Sequence, residues 1–476
     1  MNNSLKFIFY HSILLLALIA SCTSDDTKDI NEDTEENTNE DEEVTETTFN
    51  QTIEWIKTFG GTNEDSALSV VEATDGGYVL AGYTQSTDGD LTGKTATDSD
   101  FWVLKLTKDG AISWSKTYGG TGDERAEKII ATKDGGYIVV GYNRSSDGDV
   151  SQNEGLQDYW VIKINASGEL QWEKSFGFGG IDRAFSVIQT EDNGYFVTGF
   201  FDVSLSNGGG NDDGPSSASK NKNTQKHGVG EFWGIKLNEA GETEWRRYFG
   251  GNDNDRSYDV VQTKDGGFLM IGSSESESGS ADVSDISVNL GSYDYWAVKI
   301  DAQGNLVWEK TYGGTEIDVA YGIAAVGDGT YIIVGDARSA DVNVSNAKGN
   351  ADLWIIRIDD NGNMLWEKAI GGTQFDTGRG IHKTKNGHFI ITGNSRSNDV
   401  DLDKNNGQSD ILSIVINDKG DVLWKSIVGG GQAEFATGCI ETTDKKFVIV
   451  GNSESDDLDI PENKGSKDLI LIKYKE

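Results

Sequence analysis

The sequence predicts an all-β protein, a seven-bladed β-propeller with four antiparallel strands per blade and the last blade closed by the N-terminal strand. Two repeated markers and a pair of permuted ends predict it. The first marker is a tryptophan a few residues ahead of a Gly-Gly pair: Trp55, Trp114, Trp172, Trp245, Trp308, Trp366 and Trp424. The second opens the third strand of each unit: Trp102, Trp160, Trp233, Trp296 and Trp354, with Leu412 and Ile470 in the last two copies. Successive copies of the first marker lie 58 or 59 residues apart, except for steps of 73 and 63 around the third and fourth copies. These positions hold all 12 tryptophans of the chain, so the rings are assigned to packing between sheets and none to a ligand.

The permuted ends decide between a ring and a linear array. The first strand, 52–59 (TIEWIKTF), matches the last strand of later units, ISWSKTY at 112–118 or LVWEKTY at 306–312. The chain ends with 469–474, which matches a third strand, so the last unit lacks its fourth strand and the N-terminus has a spare one. Pairing the two shuts a ring and removes the exposed edges that a linear stack would leave at both ends.

Taken in order, residues 1–21 carry Lys6 and then an apolar run from Phe7 to Ala20, the pattern of a signal peptide too short to span a bilayer. Residues 22–49 form a polar stretch. From Thr23 to Thr48, twelve acids face the single Lys28, a net charge of −11, which is too self-repelling to fold and reads as an extended tether. Residues 50–476 are the repeat domain. Its unit is clearest at 126–176, where four Val-, Ile- and aromatic-rich runs (126–132, 137–142, 159–164 and 170–176) are bounded by Gly, Asp, Asn and Ser. The first-to-second turns (Asp75-Gly76-Gly77, Asp134-Gly135-Gly136, Asp265-Gly266-Gly267) and third-to-fourth turns (Lys108-Asp109-Gly110) are minimal and share one face. The longer second-to-third and blade-to-blade loops share the other, where function is expected. An insertion from Phe201 to Glu231, rich in Gly, Ser, Asn and Lys, reads as a flap.

The second-to-third loops alternate oxygen side chains and end on an acid: Asp147, Asp149 and Asp158; Asp341, Asn343 and Asp352; Asp399, Asp401, Asp403 and Asp410; Asp457, Asp459 and Asp468. Hard oxygen donors at this spacing resemble calcium loops, so calcium is the candidate cofactor, with Asx turns as the alternative use of the same acids. Asp65, Asp123, Asp182, Asp255 and Asp318, in the blade-to-blade loops, add carboxylates to that face, either as a cation-binding ring or as caps for the strands that follow.

The net charge of −38 excludes nucleic acid as a partner. Beyond the signal peptide only His227, His382 and His388 remain, and no phosphate loop or GxGxxG is present. No metal triad or nucleophile–base pair can be assembled, and no catalytic residue is assigned. Cys439 reads as a buried hydrophobe.

Two resemblances add to this. Ile19-Ala20-Ser21-Cys22 resembles the lipobox of bacterial lipoproteins, and Ser24-Asp25-Asp26 behind it resembles the surface-export signal of Bacteroidota-type lipoproteins. They imply a lipid on Cys22 and a chain anchored to the outer membrane, facing the cell surface. The segments 165–172 (NASGELQW), 301–308 (DAQGNLVW) and 359–366 (DDNGNMLW) resemble the tryptophan-docking motif of quinoprotein-like propellers. That resemblance implies that Trp55, Trp114, Trp172, Trp245, Trp308, Trp366 and Trp424 each dock on a neighbouring blade. The expectation is a non-catalytic envelope module that binds a glycan or a protein on its long-loop face. The alternatives are a carbohydrate-active or quinoprotein-like enzyme using axial carboxylates, and a purely structural envelope spacer.

Overall fold

The computed structural model describes residues 50–207, 209–211, 227–276 and 291–475. The signal peptide, Cys22, the tether and most of the insertion lie outside the described residues. The rest is a seven-bladed β-propeller of four-stranded antiparallel sheets. Each blade starts at the axis with β2 (Asp65–Glu72), β6 (Arg125–Ala131), β10 (Arg183–Gln189), β14 (Asp255–Gln262), β18 (Asp318–Ala325), β22 (Asp376–Lys383) or β26 (Glu434–Glu441). Each of these innermost strands packs against its two neighbours around the ring, β26 against β2 included.

The middle strands of a blade show why the pattern folds this way. In the second blade β7 (Tyr137–Asn143) and β8 (Asp158–Ile164) are buried from end to end, whereas the outer β9 (Leu170–Phe176) is half exposed. A strand covered on both faces carries a nearly continuous apolar run, which is how YIVVGYN and DYWVIKI read. The core is therefore a set of layers between blades. Val79, Phe101 and Val103 of the first blade pack on Ala126, Val139, Trp160 and Ile162 of the second.

The ring closes as the permuted ends require. β1 (Thr52–Phe59) pairs antiparallel with β28 (Asp468–Lys475), from Thr52 opposite Lys475 to Phe59 opposite Leu469. Phe59 then packs in one cluster with Leu469 and Leu471 of the last blade and Trp102 and Leu104 of the first. β28 starts one residue ahead of the sequence-based bounds 469–474, because Asp468 joins the ladder opposite Ser453.

The tryptophans fall into two environments. Trp102, Trp160, Trp233, Trp296 and Trp354 are fully buried, and Trp160, Trp296 and Trp354 donate Nε1 to Glu173, Glu309 and Glu367 at 3.0, 2.8 and 2.9 Å. The outer-strand rings reach the next blade. The ring atoms of Trp114, Trp172, Trp245, Trp308 and Trp366 lie where Gly168, Gly241, Gly304, Gly362 and Gly420 have no side chain, all at φ between +73° and +81°. Trp308 and Trp366 also donate to the carbonyls of Asp360 and Asp418 at 3.0 and 3.2 Å. In the latched blade no such turn exists, and Trp424 donates instead to the carbonyl of Gln51 at 3.3 Å. Trp55 meets Tyr78 of the first blade edge-on at 6.3 Å.

Candidate functional site

The loop acids take defined places at the blade junctions. Asp147, Asp341 and Asp399 accept the backbone N–H and Oγ1–H of Thr121, Thr315 and Thr373 at 2.8–2.9 Å, and Asp457 accepts Gly431 N–H at 2.7 Å. Asp149, Asn343, Asp401 and Asp459 accept Gly119, Gly313, Gly371 and Gly429 N–H at 3.2–3.4 Å. The closing acids Asp158, Asp352, Asp410 and Asp468 each accept an amide of their own loop, from Glu154, Lys348, Asn406 and Lys464, at 2.6–2.7 Å. Asp403 stands outside this scheme, 3.4 Å from Lys425 Nζ. Among the described residues no group of three or more His, Cys, Asp or Glu could hold a metal ion.

The acids at the axial strand starts are buried caps of the Gly-Gly loops. Asp65, Asp182, Asp255 and Asp318 accept the N–H of Gly61, Phe178, Gly251 and Gly314 at 2.7–2.8 Å. In the second blade Glu124 fills that place, accepting Gly120 N–H at 2.9 Å, while Asp123, singled out in the sequence, accepts Ser99 N–H at 3.1 Å. Glu124, not Asp123, stands four residues after the amide it accepts, the spacing that Asp65, Asp182, Asp255 and Asp318 share.

Each cap lies beside the closing acid of the previous blade, and burial raises the carboxyls of the caps Asp65, Asp182, Asp255 and Asp318 and of the closing acids Asp100, Asp158, Asp352, Asp410 and Asp468. Asp182 is pushed up to about 7, and Asp100, Asp158, Asp255 and Asp468 to about 6, in each case mainly by burial. On the opposite face the turn acids behave in the reverse way. Against the cost of burial, hydrogen bonds from Lys163 and Thr132 hold Asp134 at about 2, and those from Thr190 and Lys236 hold Asp192 at about 2. A carboxyl whose folded pKa is raised binds more protons in the folded than in the unfolded state, so it favours folding as pH falls from about 7 toward 4. A depressed carboxyl stabilises above about 4 and loses that contribution below it. The melting midpoint is therefore expected to rise from pH 8 to pH 5 and to fall below pH 4. Melts at 0.5 M salt should retain the rise, since buried groups are weakly screened. A midpoint that is flat or falling between pH 8 and 5 would refute this assignment.

A second ring breaks the sevenfold repeat. Every axial strand has a one-residue register shift against its neighbour, and the residue skipped is Leu68, Glu127, Phe185, Tyr258, Tyr321, Arg379 or Thr437. A bulge re-aims the side chain it carries. All seven keep partial solvent access. Phe185 stacks on Tyr258 and Tyr258 on Tyr321, both at 5.0 Å, and the Arg379 guanidinium sits 3.7 Å over Tyr321. These four consecutive members thus touch along the axis. Glu127 stands among them, and enclosure by protein pushes its carboxyl up to about 7 against the pull of Arg183 and Arg125. Deeper in, Lys128 Nζ reaches to 3.8 Å of Asp259 Oδ1, two blades away.

At the long-loop end of this axis the chain gathers its arginines. Of ten in the sequence, six lie here on aromatic rings. Arg125, Arg183 and Arg256 cover Tyr83, Tyr142 and Phe200 at 4.2, 4.7 and 4.9 Å. Arg338 and Arg396 flank Phe375 at 5.6 and 5.8 Å, and Arg379 covers Tyr321.

The same register explains a cavity of about 290 Å³ on one side of this mouth. In the second and third blades the strand pairs Arg125–Tyr142 and Arg183–Phe200 fill the space with a long cation and a ring. In the fifth and sixth the equivalent pairs are Val319–Asp336 and Thr377–Asn394, which are shorter and leave it open. Arg338, Arg379, Arg396, Tyr321, Phe375 and Phe435 line what remains, together with Asp336 and Asn394. Asp336 is 5% and Asn394 9% exposed, and the Oδ1 of each has no hydrogen-bond partner among the described residues. Burial pushes the Asp336 carboxyl up to about 6 against the pull of Arg379 and Arg338.

No protein-family model matches the chain, and no curated protein matches it. The chain is similar to solved structures. A protein of unknown function from Bacteroides caccae matches at 13% identity and a TM-score of 0.38, over 69% of this chain and 90% of that one. One of unknown function from Dyadobacter fermentans matches at 11% and 0.43, over 89% and 99%. The Neurospora crassa Pan2 WD40 domain matches at 8% and 0.47, over 89% and 95%.

None of the residues around the cavity was singled out in the sequence. The available signal was the string acid–x–small–X at each axial strand start, where X is the bulged residue. X runs through Leu, Glu, Phe, Tyr, Tyr, Arg and Thr, and x through Ser, Arg, Arg, Arg, Val, Thr and Phe, while the small residue between them stays Ala, Ser or Gly. Burial pushes the Cys439 thiol up to about 12 and His382 down to about 4, leaving the first protonated and the second neutral at physiological pH.

Proposed function

We propose that the chain is a non-catalytic binding module whose ligand, a glycan or a protein, enters the arginine–aromatic mouth at the long-loop end of the axis. The observation that carries this reading is the departure from the repeat. Six of ten arginines stack on rings at one end of the axis in a chain of net charge −38, beside a cavity that only three blades line. Folding alone needs no such asymmetry, whereas a pocket with aromatic walls and a few convergent polar groups is what recognition uses. In this reading lipidated Cys22 and the acidic tether hold the propeller away from the outer membrane, facing outward.

The test is a glycan-array and envelope-protein screen with the full-length chain. A ligand whose binding drops at least tenfold in Phe375→Ala, and is unchanged in Lys174→Ala at the outer rim, is expected. A ligand indifferent to Phe375→Ala would move the site elsewhere, and no ligand at all would favour a structural spacer.

A further inference from the structure

We propose that the mouth selects an acidic saccharide, a sugar ring bearing a carboxylate, seated between Tyr321, Phe375 and Phe435 with its acid toward Arg338, Arg379 and Arg396 and its hydroxyls toward Asp336 and Asn394. This rests on the reading of the mouth as the binding site and adds the chemistry of what fills it.

Three features of the cavity point the same way. The first is charge. Three guanidiniums face one carboxylate, and among the described residues none of the three is in an ion pair, although lysines elsewhere on the ring are widely paired with acids. A net positive pocket favours a ligand with net negative charge over a neutral sugar or a zwitterion. Guanidiniums also match the planar, two-oxygen geometry of a carboxylate. The second is the pair of unsatisfied acceptors. Asp336 Oδ1 and Asn394 Oδ1 are buried without a donor. Asn452, at the matching position of the last blade, has its Oδ1 satisfied by Ser66 Oγ and Ala67 N at 2.6 and 3.1 Å. Phe435 stands where Ser66 would supply that hydroxyl, so the donor is missing in this blade alone of the two. Buried polar groups are normally paired, and two lone acceptors call for donors from a ligand, which ring hydroxyls are. The third is shape. A cavity of about 290 Å³ walled by three aromatic rings fits a single ring, and the apolar face of a sugar packs on such a wall.

The experiment is calorimetric titration of the full-length chain with a galacturonic acid trisaccharide, the neutral galactose trisaccharide and a hexaglutamate peptide. The acidic sugar is expected to bind, with the neutral sugar and the peptide each at least tenfold weaker. Arg396→Gln should weaken the acidic sugar about ten- to a hundredfold, the usual loss for a charged hydrogen bond. Asn394→Leu should weaken both sugars and leave the peptide unchanged. Melting of each variant at the wild-type midpoint confirms that it folds, and Arg379→Gln offers a second arginine should one fail. Equal affinity for neutral and acidic sugar, or a preference for the peptide, would overturn the acidic-saccharide assignment while a Phe375→Ala loss kept the mouth as the site. Acidic-sugar binding undiminished in both Arg396→Gln and Phe375→Ala would overturn both.

Discussion

A chain that begins at Gly60 and so lacks β1 is expected to lose the single cooperative melt of the ring and to run as aggregate on size exclusion. β1 is the fourth strand of the last blade, and without it β28 exposes a run of unpaired amides and carbonyls from Leu469 to Lys475. The loss of packing is of similar weight. Phe59 leaves the cluster that joins the last blade to the first, Ile56 leaves the cluster of the last two blades, and Trp424 loses the Gln51 carbonyl. Removing the buried Phe59 costs about 1.5–3 kcal/mol and the half-buried Ile56 correspondingly less. With the orphaned ladder added, the total approaches the ~5–15 kcal/mol that separates most domains from unfolding. A synthetic peptide of residues 50–60 added in trans should restore part of the transition. A truncated chain that melts at the full-length midpoint would show that the ring does not depend on this latch.

That experiment probes the part of the fold most legible in the sequence. Blade number, strand order and closure could all be read because they depend on side chains that must be large, apolar and regularly spaced. The tryptophan markers and the repeat-like strand at 52–59 state this directly. The mouth was hidden for a physical reason. A bulge displaces one residue without disturbing the alternation on either side, so Arg379 and Tyr321 look like ordinary strand positions. The cavity itself comes from what is missing, the Arg–Tyr filler replaced by Val319–Asp336 and Thr377–Asn394 in strands that pair across some 17 residues. The loop acids were visible but ambiguous, since alternating oxygens serve a cation loop and a set of amide caps equally well. Asp123 and Glu124 could not be ranked without knowing which of them directly precedes the axial strand.

The same caps make a second large effect expected, at the first glycine of the Gly-Gly pair. Gly371→Ala should destabilise the propeller by about 3–5 kcal/mol, a steric cost at the upper end of single substitutions. A methyl there would come within 2.8 Å of Asp376 Oδ2 and closer still to Asp352 Oδ1. Neither carboxylate can retreat. Asp376 is held by Gly372 N–H and Ser397 Oγ–H, both at 2.7 Å, and Asp352 by Lys348 N–H at 2.6 Å, with both side chains fully buried. Gly135→Ala is the control. Its Cβ meets nothing within 4 Å, but its φ of +84° disfavours an L-residue, so about 1 kcal/mol is expected from conformation alone. Urea denaturation of both variants separates the steric cost from the backbone cost. The double variant Gly371→Ala/Asp352→Ala sharpens the argument, because removing the carboxylate removes the clash and the combined loss should fall short of the sum of the two singles. Additive losses would mean that the glycine is required for some reason other than the acid packed against it.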